Sequence, residues 1–240
     1  MKRLMDVVIS SVILLACCPV LLVFMLLIWL RDFKSPFYTA PRAGKHAKEF
    51  RMVKLRSMTV GADRTGVNST SANDARITPI GAVIRRCKLD EITQFWNVLT
   101  GSMSLVGPRP QVAWGVERYT PEERRLLTVK PGITDMASIV FSDEGDILKD
   151  SDDPDMDYNR LIRPWKSRLG LFCIDHSSLA LDLKLVMLTA VAIFNREKAL
   201  RGIQRLLREM GADDELISVA SRTKPLVPAL PPGAVAQGGV

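Results

Sequence analysis

The sequence has few of the residues that build metal centres and disulfide frameworks. Only two histidines, His46 and His176, and four cysteines occur among its 240 residues. No two cysteines have the spacing typical of zinc sites, and Cys17 and Cys18 lie inside an apolar run. Neither a zinc site nor a set of disulfides is therefore indicated, and a reducing cytoplasm suits this cysteine usage.

Aromatic residues are also scarce, at 6% of the chain. Proteins that bind single-stranded nucleic acid stack bases on clustered aromatic side chains, so we expect no nucleic-acid partner. The chain is nevertheless basic, with 33 lysines and arginines against 26 acidic residues, eight of which fall between Asp143 and Asp157. We interpret that acidic stretch as a solvated face, because it lacks the EF-hand ligand pattern. The basic remainder suits anionic lipid head groups or phosphorylated substrates.

One long apolar run lies near the N-terminus and has no charged residue from Val7 to Leu30, which is enough to cross a bilayer as a helix. Pro19 lies near its centre, where proline kinks or breaks a helix. Each half alone would be about 12 residues, or roughly 18 Å, and shorter than the bilayer core. A kinked span, a cleaved signal and a segment that enters the bilayer and returns are all open.

The charges that flank this run favour the returning segment. Basic residues remain on the cytoplasmic side of a membrane, and here they occur at both ends: Lys2 and Arg3 before the run, and Arg31, Lys34, Arg42, Lys45, Lys48 and Arg51 after it. A straight span would satisfy only one end. We predict a re-entrant helix broken at Cys18-Pro19. A lipoprotein signal cleaved before Cys17 fits less well, because the sequence that follows is still apolar.

The stretch "KLDEITQFWNVLTG" predicts a short helix that begins near Asp90 and Glu91 and ends before Gly101. Its apolar residues follow helical spacing and are expected to pack: Ile92, Phe95, Trp96 and Leu99. Further along, "YTPEERRLL" predicts a helix with Thr120 as N-cap. Residues 177–210 predict one long helix or two in sequence, and residues 59–76 a mobile loop.

Two features of this region suit phosphate chemistry. The positive end of a helix favours ionised carboxylates; an ionised Asp90 could attack phosphorus, and Glu91 could hold Mg²⁺ on a pyrophosphate. Arg85 and Arg86 precede the pair. Arg109 lies between Pro108 and Pro110, which order its backbone, and its guanidinium matches phosphate. Taken alone, an Asp-Glu pair is more often a helix cap, and Pro-Arg-Pro more often a turn.

The longer stretch "KLDEITQFWNVLTGSMSLVGPRP", with "PRAGKHAKEFRMVKLRSM" before it and "VKPGITDMASI" after it, resembles the bacterial sugar transferase family, the monotopic phosphoglycosyl transferases. The resemblance extends from Lys2 to about Phe194. It implies transfer of a phospho-sugar from a UDP-sugar to polyprenol phosphate with release of UMP, as the first membrane step of surface glycan assembly. The chain resembles the minimal form of the family, which lacks an additional multi-span N-terminal region.

The resemblance also implies roles for individual residues. Asp90 matches the family's nucleophile and Glu91 its Mg²⁺-associated partner, so that both are candidate metal residues. Basic positions of the motifs match residues that would contact phosphates or support the site: Lys54, Arg56, Arg86 and Arg109. The family's re-entrant helix is broken at a Ser-Pro pair, here Cys18-Pro19. Two further departures are Thr93, where the family has proline, and Asp135, where "PGITG" has glycine.

We therefore expect a mostly helical α+β monotopic membrane protein of the bacterial inner membrane, with its catalytic domain on the cytoplasmic face. The expected domains are a re-entrant helix (residues 1–34), a catalytic domain (35–200), and an amphipathic helix with a disordered tail (201–240). Its expected partners are a UDP-sugar, polyprenol phosphate and inner-membrane lipid, and a homodimer is a further candidate. The alternative is a non-catalytic, membrane-anchored binding module with a basic face.

Overall fold

The computed structural model describes residues 1–62 and 74–234. The centre of the loop predicted over residues 59–76 therefore lies outside the described residues, as do residues 235–240. The chain forms two compact units, one of residues 1–42 and 49–104, and one of residues 43–48 and those from Leu105 onward. These units do not coincide with the three functional domains expected from the sequence, which remain a prediction.

The first unit joins one long helix to a small sheet and three short helices. Its elements are α1 (Lys2–Asp32), β1 (Phe37–Ala43), β2 (Glu49–Leu55), α2 (Pro79–Arg86), α3 (Leu89–Ile92) and α4 (Phe95–Thr100), with β1 paired to β2. Thr78 caps α2 by accepting a hydrogen bond from the Gly81 N–H at 2.8 Å. A side chain at Gly81 would collide with the Ser57 carbonyl, so that only glycine permits this close approach of α2 to the chain after β2.

Helix α1 is long and apolar enough to cross a membrane, and little of its apolar stretch is buried within the protein. It continues through Pro19 as one helix of 31 residues. The two separate helices that a complete break at Cys18-Pro19 would give are thus not present. A bend at Pro19 and a re-entrant path in the bilayer remain predictions.

Polar contacts hold the N-terminal end of α1 against the rest of the first unit. Asp6 is buried in spite of its charge, and the Ser104 hydroxyl donates to its carboxylate at 3.0 Å. The Arg3 guanidinium donates to the carbonyls of Val98 and Leu99, the latter at 2.6 Å. These carbonyls lie in the last turn of α4, where the helix leaves acceptors unpaired and favours a cation.

The second unit consists mainly of helices. Its helices are α5 (Ala113–Glu117), α6 (Met136–Val140), α7 (Glu144–Ile147), α8 (Pro154–Asp157), α9 (Arg163–Asp175), α10 (Leu179–Phe194), α11 (Arg196–Glu209) and α12 (Asp214–Ser221). Strand β3 (Ser104–Val106), which begins in the first unit, pairs with β4 (Gly132–Thr134). Among the described residues, helices thus far outweigh strands, and the expected mostly helical α+β class is confirmed.

A fully buried carboxylate organises the centre of the second unit. Thr120 and Glu123 form a reciprocal capping box: the Thr120 hydroxyl accepts from the Glu123 N–H, and the Glu123 carboxylate accepts from the Thr120 N–H. The predicted cap at Thr120 is therefore confirmed, although the segment that follows is a 3-10 helix (Glu123–Thr128). The same carboxylate also accepts from Arg163 at 2.6 Å and from Ser167 at 2.7 Å.

The C-terminal part resolves the alternatives that the sequence left open. The segment predicted as one helix or two forms α10 and α11, separated at Asn195, whose side chain caps α11 by accepting from the Lys198 N–H. The tail expected to be disordered makes defined contacts as far as residue 234. Ala229 N–H donates to the Arg160 carbonyl at 3.0 Å, and the Thr120 hydroxyl donates to that of Pro232.

Candidate functional site

The Asp90–Glu91 pair lies on α3, a helix of a single turn. Lys88 precedes it with a φ of 52°, in the left-handed region that non-glycine residues rarely adopt. This residue turns the chain between α2 and α3. Both carboxylate residues are half-buried, which keeps them accessible to a ligand.

Where one helix was predicted, the structure has two short helices, α3 and α4. Polar side chains near the junction of these helices form hydrogen bonds to β2. The Thr93 hydroxyl donates to the Val53 carbonyl at 3.1 Å. Asn97 accepts from the Val53 N–H at 2.9 Å and donates to the Arg51 carbonyl at 2.8 Å. Thr93 and Asn97 are therefore buried, whereas Trp96, expected to pack, is 56% exposed. The expectation that the apolar spacing marks the packed face was wrong at Trp96.

Bonding to β2 also brings Asp90 near a cation. Lys54 on that strand acts on the Asp90 carboxyl and lowers its pKa, as Arg85 does more weakly. Burial has the larger effect, however, and the Glu91 charge adds to it, so that the pKa of Asp90 lies above its ordinary value. The lowering of its pKa that the sequence argument expected from a helix N-terminus is outweighed here, because desolvation penalises the charged form.

The predicted phosphate-binding residues of the first unit differ in their surroundings. Arg56 is buried, and its guanidinium donates to both carboxylate oxygens of Asp32, at 2.7 and 2.8 Å. It therefore joins the end of α1 to the end of β2. Arg86 is exposed in the last turn of α2, and Arg85 precedes it there.

The Pro108-Arg109-Pro110 segment belongs to the second unit, where two glycines position it. A side chain on Gly107 would meet the Lys130 carbonyl, and one on Gly132 would meet the Gly107 backbone. The Gly132 N–H can therefore donate to the Pro108 carbonyl at 2.9 Å. This close pairing brings the "VGPRP" and "PGITD" motifs together.

Next to these motifs the second unit contains a cavity of about 90 Å³. Its lining includes Pro108, Arg109 and Asp135 together with side chains from α5, α8 and α9 and the segments beside them. Sequence reasoning had assigned no role to most of these residues. They come from separate elements, so no spacing along the chain could have grouped them.

The expected Mg²⁺ ion has a suitable but incomplete set of protein ligands. Among the residues that the structure describes, no three histidine, cysteine, aspartate or glutamate side chains cluster as a metal site. Asp90 and Glu91 offer two adjacent, half-buried carboxylates. Mg²⁺ is commonly held by one or two carboxylates plus substrate phosphates and water, and the pair fits that requirement.

Helix α1 packs directly against the elements that carry these carboxylates. Leu21 and Ile28 of α1 are buried with Leu55 and Ile84 in one apolar cluster, and Leu89 and Ile92 of α3 pack against it. The opposite side of α1 exposes large apolar side chains. The carboxylate-bearing helix is therefore supported by the one helix of the described residues that is suited to a membrane.

Comparison with known proteins identifies the group of proteins that share these features. The model of the bacterial sugar transferase family matches residues 1–196. An uncharacterized sugar transferase, EpsL, of Bacillus subtilis is 33% identical over 85% of this chain and 91% of its own length. A UDP-glucose:undecaprenyl-phosphate glucose-1-phosphate transferase of Klebsiella pneumoniae is 35% identical over 82% of this chain, but over only 41% of its own length.

A third relative, from Bacillus subtilis, carries the name putative undecaprenyl-phosphate N-acetylgalactosaminyl 1-phosphate transferase. It is 40% identical over half of this chain and 68% of its own length. The names of two of these relatives specify an undecaprenyl-phosphate acceptor, and they specify different sugars. These matches favour an enzyme over the non-catalytic binding module. The chain belongs to the bacterial sugar transferase family, and it is a transferase.

Proposed function

We propose that this protein transfers a sugar-1-phosphate from a UDP-sugar to polyprenol phosphate, with Asp90 as nucleophile. A carboxylate oxygen of Asp90 attacks the sugar-bearing β-phosphorus, and a P–O bond forms as the P–O bond to the UMP oxygen breaks. UMP leaves with the bonding electrons. An oxygen of polyprenol phosphate then attacks the same phosphorus, which gives the polyprenol diphosphosugar and frees Asp90.

The observation that carries this proposal is the placement of Asp90 and Glu91. They are half-buried, adjacent carboxylates on α3, near the Lys54 ammonium, in a unit that packs on an apolar helix. Such a group is desolvated and thus a stronger nucleophile than an aspartate in water, while Lys54 favours its ionised form. The names of the relatives support the acceptor, since they specify undecaprenyl phosphate.

Mg²⁺ would be held by Glu91 and Asp90 together with the donor's phosphates, and when bound it would neutralise negative charge that develops on the diphosphate. Lys54 would stabilise the same charge from β2. Arg86 and Arg109 are exposed guanidiniums that could bind phosphate oxygens. Arg56 would act indirectly, since it holds Asp32 at the end of α1.

The proposed location is the cytoplasmic face of the bacterial inner membrane, with α1 as a re-entrant helix. Both ends of α1 carry basic residues, which supports a cytoplasmic position for each. Trp29 and Trp96 are 43% and 56% exposed, and tryptophan is frequent at the membrane interface. In this position a soluble donor and a lipid-embedded acceptor could reach one carboxylate.

The test is UMP release by membrane fractions given a UDP-sugar, Mg²⁺ and polyprenol phosphate. Asp90→Asn should lower the rate by at least about 1,000-fold, because the amide cannot form the ester to phosphorus. Asp214→Asn, in the first turn of α12, is the matched control and should retain the wild-type rate. Wild-type activity in Asp90→Asn would refute the mechanism.

A further inference from the structure

The cavity of the second unit combines cationic, aromatic and acidic side chains. Among the residues that line it are Arg109, Arg118 and Lys166, with Trp114 and Tyr158 as aromatic partners. The Arg118 guanidinium lies over the Trp114 ring, 5.3 Å from its centroid, and the Lys166 ammonium lies over Tyr158 at 5.5 Å. Such a lining suits an anionic ligand whose polar groups are each recognised by a separate hydrogen bond.

Several of these charges are already compensated within the protein. Lys166 is paired with Glu144, and Arg163 with the buried Glu123. Arg118, by contrast, is exposed, and no carboxylate of the described residues bonds to its guanidinium. The cavity therefore has exposed guanidiniums at its surface, those of Arg109 and Arg118, and a network of compensated charges in its wall.

Asp135 is the acidic group buried in this wall. It is 3% exposed and accepts a hydrogen bond from the Ser138 N–H at 2.6 Å through one carboxylate oxygen, Oδ1. Its position is fixed because it follows β4 and caps α6. Burial raises the pKa of Asp135 above its ordinary value, and the hydrogen bonds to Ser138 and the charges of Lys166 and Arg109 offset this only in part. A carboxylate of this kind, held rigidly at the edge of a cavity, is an acceptor for O–H and N–H groups of a ligand.

We propose that this cavity binds the sugar of the anionic sugar-nucleotide donor and that Asp135 is a specificity-determining residue, accepting hydrogen bonds from the sugar's hydroxyl or amide N–H groups. The inference rests on the proposed function and deepens it. Glycine, which the family pattern has at this position, would offer no such acceptor. The aspartate at this position therefore gives this chain a sugar preference different from that of members with "PGITG".

Donor discrimination tests this assignment. UMP release would be measured for UDP-glucose, UDP-galactose, UDP-N-acetylglucosamine and UDP-N-acetylgalactosamine with the wild type and Asp135→Asn. Asparagine still caps a helix but replaces the ligand-facing acceptor by a donor. We expect kcat/KM for the preferred donor to fall about 10- to 100-fold and that for the least favoured donor to change much less, because a site built to bond a ligand group penalises its mismatch.

The matched control is Asp213→Asn. Asp213 caps α12 and accepts from the Leu216 N–H at 2.6 Å, the same geometry outside the cavity. It should leave the donor profile unchanged. If Asp135→Asn melts at the wild-type temperature and changes all four kcat/KM values by the same factor, the specificity role is refuted while the proposed function stands.

A wild-type protein that releases no UMP from any sugar nucleotide would refute the proposed function instead. Sugar binding by the cavity would then be tested by measuring equilibrium binding of the same four UDP-sugars, and of UDP alone, to the wild type and Asp135→Asn. Weaker binding of one sugar nucleotide by the variant, with equal binding of UDP, would support the assignment. Equal binding of every probe by both proteins would overturn it.

Discussion

At the scale of single residues, the environment of Asp90 sets two opposing demands. Its carboxylate must be ionised to attack phosphorus, yet burial raises its pKa and Lys54 only partly offsets this. As pH falls, a carboxyl with a raised pKa becomes protonated at a higher pH in the folded state than in the unfolded chain. The same desolvation that strengthens the nucleophile therefore restricts the pH range in which it works.

The rate of UMP release should accordingly fall on acidification at a pH above that expected for an ordinary aspartate. Lys54→Met should move this acidic limb to still higher pH, because the ammonium lowers the pKa of Asp90. The measurement is kcat against pH for both proteins. An acidic limb that stays in place when Lys54 is replaced would show that Lys54 does not act on the reacting carboxyl.

A rise in pH has the opposite effect on stability to its effect on activity. Because the folded state favours the protonated carboxyl, the contribution of Asp90 to the free energy of unfolding decreases as pH rises through its raised pKa. Asp90→Asn should therefore melt at or above the wild-type temperature at neutral pH. A lower melting temperature would mean that the charge itself stabilises the fold.

We propose that Arg56 supports the site through Asp32 and does not touch the ligand. Its bidentate pair with Asp32 has a buried guanidinium. Arg56→Gln and Asp32→Asn should each destabilise the protein by about 1–3 kcal/mol, and the double variant by less than the sum, since both remove one interaction. Chemical denaturation measures these values. Additive losses, or an activity loss confined to Arg56→Gln, would instead indicate direct phosphate binding.

At the scale of elements, sequence reasoning succeeded where a local rule decides the structure. The cap at Thr120 and the long apolar helix both follow from residues near one another in the chain. It failed over "KLDEITQFWNVLTG", because the decisive contacts of Thr93 and Asn97 are with β2, some 40 residues away. The spacing of apolar residues along the chain gives no information about such long-range polar bonds.

The attachment of α3 and α4 to β2 depends most on Asn97. Its amide bonds the β2 backbone at two points and is buried. Asn97→Ala should cost about 2–3 kcal/mol and reduce activity, because buried backbone groups lose their partners and α3 is released from Lys54. Thermal unfolding and UMP release measure the two effects. Ser102→Ala, which removes a hydroxyl that accepts from the Asn97 amide and donates to the Asn97 carbonyl but leaves the bonds to β2, should have a smaller effect on both; equal losses would refute the special role of Asn97.

At the scale of the whole molecule, the sequence identified the chemistry-bearing motifs but not their assembly. Asp90 and Arg109 were predicted as site residues, whereas the cavity that Arg109 shares with Asp135 depends on the close approach of Gly107 to Gly132. Re-entry of α1 was inferred from the charges at its ends and stays a prediction. The structure shows α1 continuing through Pro19 as one helix, not as two separate helices.

Re-entry predicts that both ends of α1 lie on the same side of the membrane. Single cysteines replacing Lys2 and Lys34, in a variant without the four native cysteines, would be treated with an impermeant thiol reagent in right-side-out inner-membrane vesicles. Neither should react until the vesicles are opened. Reaction of one of them in sealed vesicles would show a straight span.

The central claim is that the sugar phosphate passes through a covalent bond to Asp90. Intact-protein mass spectrometry after incubation with Mg²⁺ and a UDP-sugar, without polyprenol phosphate, tests it most directly. We expect the wild type to gain the mass of one sugar phosphate, which is lost when polyprenol phosphate is added, and Asp90→Asn to gain none. An enzyme that releases UMP to polyprenol phosphate but never carries this mass, or an adduct that persists in Asp90→Asn, would contradict the claim.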